Sequence, residues 1–342
     1  MISALLLLLS SCGFESLTPE EKTAKMTTEE KVAQMLMVRC DKANMDSILS
    51  HQPGGIVMFG IDFMDLNKDE VVTTIEQYKS ACKIEPIIAV DEEGGTVVRV
   101  SSNPELAKEK YESPQFYYNK GGIDEIVRIE TEKANLLNSL GITMNLAPVA
   151  DISQDPSDFI YDRSLGQNET VTSEFVASAV SAMKENNVFS CLKHFPGYGN
   201  NVDTHTGIAI DKRPLQSFRE KDFLPFISGI KSGADAVLVS HNIITDIDSS
   251  LPASISAPVH EILRNELEFD GIILTDDMSM QAMNEYEEPY TKAILAGNDM
   301  IIVSDFDSAY TEILSAIKDG KIPTETIDKA IIRILRKKEI LK

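Results

Sequence analysis

Eight short apolar runs recur along the chain, each of strand length and each bounded by Gly, Pro, Asp or Asn. They cover residues 34–39, 55–59, 86–91, 142–149, 188–194, 235–241, 271–276 and 299–304. Apolar residues fill both alternating sets in most of them, so both faces of each strand should be buried, as in a parallel sheet covered by helices. Stretches of helical spacing lie between the runs. Ile123, Ile126, Val127, Ala134, Leu137 and Leu140 recur at three and four, with Gly141 at a C′ position. Ile327, Ile331, Ile334 and Leu335 mark an amphipathic closing helix, and Thr27 with Glu30 reads as a capping box. Strand and helix alternating eight times predict an α/β fold, a single-domain (β/α)8 TIM barrel. The rival is an open doubly wound sheet, but no Gly-x-Gly-x-x-Gly or P-loop follows any run.

The length of 342 residues suits one such barrel, which typically needs about 250. With 54 acidic against 32 basic side chains the formal charge is −22. That balance argues against a nucleic-acid partner, which needs clustered Lys and Arg to displace counterions, and against electrostatic adhesion to anionic lipid.

The N-terminus reads differently from the rest. Leu5 to Leu9 form an unbroken run and Met1 to Ser11 carry no charge, a stretch far short of the roughly 20 residues that span a bilayer. It fits the apolar region of an export signal, although no Lys or Arg precedes it. Leu9-Ser10-Ser11-Cys12-Gly13 resembles the lipobox of bacterial lipoproteins. The resemblance implies cleavage after residue 11, diacylglycerol on the Cys12 thiol, and a lipid-anchored protein on the periplasmic or cell-surface side of a membrane. Residues 12–27 read as a polar tether and 28–342 as the folded domain. Cys40, Cys82 and Cys191 are widely spaced, which disfavours zinc or a redox dithiol; Cys40 and Cys191 read as buried small residues.

Charged residues gather where the strands end, the rim at which barrels of this kind carry their chemistry. Asp91 leads into Glu92-Glu93-Gly94-Gly95, Asp151 precedes Asp162-Arg163, and Lys193-His194 runs into Phe195-Pro196-Gly197-Tyr198-Gly199. His241-Asn242, Asp276-Asp277 and Asp305 close the last three strands. Such a ring of donors and acceptors suits a polyhydroxylated ligand. Periodicity alone does not separate Asp276 from Asp277, and His241 is equally a ligand neighbour or a core histidine. His51 and His260 read as surface residues.

Three blocks, Lys193-His-Phe-Pro-Gly-Tyr-Gly199, Asp203-Thr-His205 and Leu274-Thr-Asp-Asp-Met-Ser-Met280, resemble motifs of glycoside hydrolase family 3. The likeness is to its single-domain bacterial β-N-acetylglucosaminidases. Asp91-Glu-Glu-Gly-Gly-Thr-Val-Val-Arg99, Asn145-Leu-Ala-Pro-Val149 and Asp162-Arg-Ser-Leu-Gly166 match further motifs in order. The resemblance implies Asp276 as nucleophile, with Asp277 capping the next helix. It implies Asp203 and His205 as the acid/base dyad, and Asp91, Arg99, Arg163, Lys193 and His194 as residues that hold the sugar. It further implies a monomer without metal or organic cofactor, acting on non-reducing terminal β-linked N-acetylglucosamine of peptidoglycan fragments. Tyr198 departs from the histidine usual there, and Thr96 and Leu165 replace commoner Arg and Phe. Three other readings use the same residues: phosphorolysis in place of hydrolysis, a β-glucosidase, and a sugar-binding lipoprotein without turnover.

Overall fold

The computed structural model describes residues 16–40, 43–201, 207 and 209–341; the signal and Cys12 readings lie outside them. Eight strands form where the apolar runs predict them. They are β1 (Leu36–Arg39), β2 (Gly55–Met58), β3 (Ile87–Val90), β4 (Met144–Asn145), β5 (Phe189–Phe195), β6 (Ala236–Val239), β7 (Ile272–Thr275) and β8 (Ile301–Val303). Neighbours along the chain pair in parallel, as in Val38 opposite Ile56 and Leu238 opposite Leu274. β8 returns to β1, and a parallel bridge from Leu274 to Met300 closes the sheet on the β7 side. The result is a closed barrel without exposed edges. Every residue of β2, β3, β6 and β7 is buried, as apolar side chains on both faces require.

β4 is shorter than its apolar run because the proline at 148 has no N–H to give the ladder. The Ala147–Pro148 peptide is cis, as are Lys193–His194 and Phe195–Pro196. The helix Pro114–Ser139 ends as read, with Gly141 at φ +83°, but starts earlier, at Ser113, and bends at Gly121–Gly122.

Three expectations need correction. Within the stretch read as a polar tether, Pro19–Lys25 is a helix. Thr18 and Glu21 form its capping box and Pro19 occupies the first turn, start signals that outweigh the polar composition. Lys22 and Arg336 then pair across to Glu339 and Glu20, docking this helix on the closing helix Thr324–Ile340. His260 is buried, with Nδ1 2.8 Å from the Ser256 carbonyl. His51 is half-buried against the rings of Phe306 and Tyr310. Cys40, Cys82 and Cys191 are buried, and no helix among the described residues is long and apolar enough to cross a membrane.

The closing helix also buries Lys338, whose Nζ donates to Gln34 Oε1 at 2.8 Å. Burial pushes its ammonium down from 10.5 to about 7. Between those values the unfolded chain holds a proton the folded one does not, so this group's contribution to stability rises with pH from 7 towards 10.5. Lys338→Met is therefore expected to be the more stable protein at pH 7, by roughly 2 kcal/mol once the lost hydrogen bond is subtracted. That advantage should fade as pH approaches 10. Urea unfolding of both proteins across this range checks it; an advantage constant with pH would count against it.

Candidate active site

The parallel barrel sends the C-terminal ends of all its strands to one mouth, and side chains distant in sequence meet there. Asp91 follows β3, Asp151 follows β4, Lys193 and His194 lie at the C-terminal end of β5, His241 follows β6 and Asp276 follows β7. Their contacts form one chain of alternating charge. Arg99 Nη2 is 3.7 Å from Asp91 Oδ2, and Lys193 Nζ donates to Asp91 Oδ1 at 2.7 Å. The same ammonium lies 2.5 Å from Glu93 Oε1. Arg163 grips Glu93 with Nε at 2.9 Å from Oε2 and Nη2 at 2.8 Å from Oε1.

Beyond Arg163 the chain continues into an imidazole. Arg163 Nη2 is 3.2 Å from His194 Nε2. A guanidinium only donates, so Nε2 accepts and the ring hydrogen sits on Nδ1, which donates to Asp151 Oδ2 at 2.7 Å. Asp151 also accepts the backbone N–H groups of His194 and Tyr198, at 3.0 and 2.7 Å. The five residues singled out for holding a sugar are therefore brought together. Asp151 and Glu93 are the members that their motifs did not single out.

Glu93 is almost fully buried and is nonetheless held well below the usual carboxylate range. Burial opposes ionisation there, but Lys193 and Arg163 outweigh it through charge and direct hydrogen bonds. Behind it the buried Lys133 donates to the Glu93 carbonyl at 2.9 Å and pairs with Glu130 at 2.6 Å. Glu92, the preceding carboxylate, faces the other way. It accepts from the backbone N–H of Arg99, Val100 and Ser101 at 2.8, 2.7 and 3.2 Å, folding the loop that carries Arg99 back to Asp91.

The adjacent Asp276 and Asp277 part company in the structure. Asp277 turns to a local turn, accepting from the Ser279 N–H at 2.9 Å and from Ser304 Oγ at 3.4 Å, so it caps no helix. Asp276 faces the mouth. Burial raises its carboxyl, but His241, His194, the Asp277 N–H and Lys193 together bring it below its ordinary value. His241 is fully buried and donates from Nε2 to the Asp277 carbonyl at 3.0 Å, with Nδ1 2.7 Å from Ser254 Oγ. With both ring nitrogens bonded it is a satisfied core histidine, the second of the two readings open from the sequence, and it lies close enough to Asp276 to act on its carboxyl.

Asp203 and His205 lie outside the described residues, but the chain flanking them is held from below. Gly197 and Gly199 have φ of +127° and +56°, and a Cβ on either would come within 2.5 Å of Asp222 Oδ1 or Arg213 Nη2. Only glycine tolerates both the conformation and the contact. Arg213 binds Asp222 through Nη1 at 3.0 Å and Asp211 through Nη2 at 2.7 Å. Asn201 reaches Asp211 at 2.8 Å. Burial pushes the Asp222 carboxyl up to about 6, against the pull of Arg213.

Comparison with known proteins agrees with this architecture. The model of the glycosyl hydrolase family 3 N-terminal domain matches residues 27–337. A β-hexosaminidase of Hydrogenovibrio crunogenus is 29% identical over 306 residues, covering 84% of this chain and 85% of its own. Another, from Idiomarina loihiensis, is 32% identical over 275 residues, covering 77% and 79%. Among solved structures, a family 3 β-N-acetylglucosaminidase of Paenibacillus sp. str. FPU-7 superposes with a TM-score of 0.86 at 26% identity. The match covers 92% of this chain and 63% of that one. With the barrel, the rim of charge and the matched family in agreement, the chain belongs to glycosyl hydrolase family 3 and is a glycoside hydrolase.

Proposed function

We propose that this glycoside hydrolase is a retaining exo-glycosidase that releases non-reducing terminal β-linked N-acetylglucosamine. The observation that carries the reading is the mouth itself: Asp276 held ionised beside a network of fixed donors and acceptors from Asp91 to His194. Relatives across most of the chain bear the name β-hexosaminidase, which supports the acetamido sugar. Peptidoglycan fragments are the proposed natural source of that sugar, on the strength of the motif resemblance.

The chemistry follows from one ionised group and one proton donor acting at the same pH. The Asp276 carboxylate attacks the anomeric carbon as the bond to the leaving oxygen breaks. That oxygen takes the proton of the His205 imidazolium, which Asp203 orients. Water then gives a proton back to His205 and its oxygen attacks the same carbon, breaking the ester bond to Asp276. Asp91, Arg99, Arg163, Lys193 and His194 hold the sugar hydroxyls and acetamido group in fixed directions through both steps.

The composition of the first residues supports a tethered enzyme, with Cys12 acylated and the barrel outside the membrane. Labelled palmitate should enter the expressed parent protein and not Cys12→Ser; equal labelling of both would remove the anchor from the reading.

Turnover of an aryl N-acetyl-β-glucosaminide tests the assignment. Asp276→Asn should lose more than about 10³-fold in kcat and His205→Ala about 10²–10⁴-fold, with substrate binding kept in both. A fully active Asp276→Asn enzyme would overturn the mechanism. Product analysis with and without phosphate separates hydrolysis, which yields the free sugar, from phosphorolysis, which yields its 1-phosphate.

His241 gives a second test. It leads the groups that hold the Asp276 carboxyl down, so without it that carboxyl takes its proton at higher pH. In His241→Phe and His241→Gln the acid limb of kcat/KM should move to higher pH. An acid limb unmoved in both variants would show that His241 does not act on Asp276.

A further inference from the structure

A line of aromatic rings leads from the sugar-holding network to solvent. The ring of Tyr198 meets that of His194 edge-on, with centroids 5.6 Å apart and planes at 74°. On its other side stands Phe159, 5.6 Å away and tilted by 42°. Tyr198 is buried, packed with Val149 and Ile160 in a small cluster of its own at the barrel mouth, apart from the two main cores. Phe159 is 39% exposed.

The segment that presents Phe159 is fixed at several points. Ile160 is fully buried beside it. Ser153 Oγ donates to Asp158 at 2.7 Å, and Gln115 donates to the Tyr161 carbonyl at 2.6 Å. Four residues on, Arg163 is locked between Glu93 and His194. An aromatic face is thus presented to solvent at low entropic cost, on the same short segment as a residue of the sugar-holding network.

We propose that Phe159, backed by Tyr198, forms an outer subsite that stacks on the apolar face of the pyranose ring on the leaving-group side of the scissile bond. The proposal rests on the exo-glycosidase reading, in which the terminal sugar sits among Asp91, Lys193 and His194 and the rest of the glycan extends outward. A pyranose carries its axial hydrogens on one flat apolar face, and covering that face with an aromatic ring removes both from water. The polar groups of the inner network fix orientation; the ring outside them adds affinity for a second sugar without demanding particular hydroxyls. Tyr198, in place of the histidine usual in the resembling motif, extends the apolar support behind that ring.

Two substrates with the same terminal sugar isolate the effect: N,N′-diacetylchitobiose, which has a second ring, and methyl N-acetyl-β-glucosaminide, which has none. In Phe159→Ala the ratio of kcat/KM for the disaccharide over the methyl glycoside should fall about tenfold, carried by KM. Phe159→Trp, which keeps a flat face, should restore most of the ratio, and Phe159→Leu, which keeps only bulk, should not. Equal losses on both substrates, or no loss on either, would overturn the subsite. Failure of the parent enzyme to cleave either substrate would instead overturn the exo-glycosidase reading, and the subsite with it.

Discussion

The buried carboxylate of Glu93 is the point on which the mouth of the barrel depends. An isolated carboxylate taken out of water would hold its proton, yet this one stays ionised because Lys193 and Arg163 both reach it. Each cation has a second duty. Lys193 turns one side of its charge to Asp91, and Arg163 fixes the tautomer of His194. Asp91 and His194 are therefore oriented through a residue that need not itself touch a sugar. Removing one member would leave an uncompensated buried charge next to two residues whose orientation depends on it, so the network behaves as a unit rather than as five separate contacts.

The barrel makes this possible because its register is rigid. Lys193 and Asp91 are 102 residues apart, and Arg163 and Glu93 are 70 apart. Parallel pairing of β3 with β4 and of β4 with β5 sets their separation to within a hydrogen bond. The backbone of Glu92 is tied to the same frame, its N–H and carbonyl both bonded to the side chain of Asn145 in β4. A ligand met by such a site finds its partners already in place, and binding energy is not consumed in assembling them.

Much of this was legible in the sequence because it depends on repeated patterns. Doubly apolar runs of strand length have few alternatives when eight of them alternate with helices, and polar residues at their ends then share one rim. What was not legible depends on orientation within a short polar run. Glu92 and Glu93 look equivalent in sequence; the turn through Gly94 and Gly95 and the ammonium of Lys133 send one into the loop and the other into the mouth. Periodicity left Asp276 and Asp277 equivalent for the same reason; in the fold Ser279 and Ser304 claim the second. The burial of His260 could not be read because it sits on a short helix without a clear apolar stripe. The helix Pro19–Lys25 was a different kind of miss, since the Thr18–Glu21 capping box was present and polar composition obscured it.

The excess of acid has an internal use that composition alone would not suggest. At the C-terminal rim Glu92 and Asp151 accept backbone N–H groups of the loops after β3 and β5, and Asp211 accepts the N–H of Arg213. At the opposite rim Asp235 accepts from Ser190 at 3.2 Å and Asp299 from Ile273 at 2.8 Å, each tying one strand to its neighbour. The closing helix supplies their counterions, Lys337 to Asp235 at 2.9 Å and Arg333 to Asp299 at 3.1 Å. An ionised carboxylate is a stronger acceptor than a carbonyl, and short loops at a barrel rim have many N–H groups that no ladder can take. Carboxylates placed there do for the loops what backbone carbonyls do for the strands. Asp151 takes two such N–H groups and also holds His194 in the mouth, so it ties framework and site together, and the acidity that holds the rim in shape also shapes the mouth.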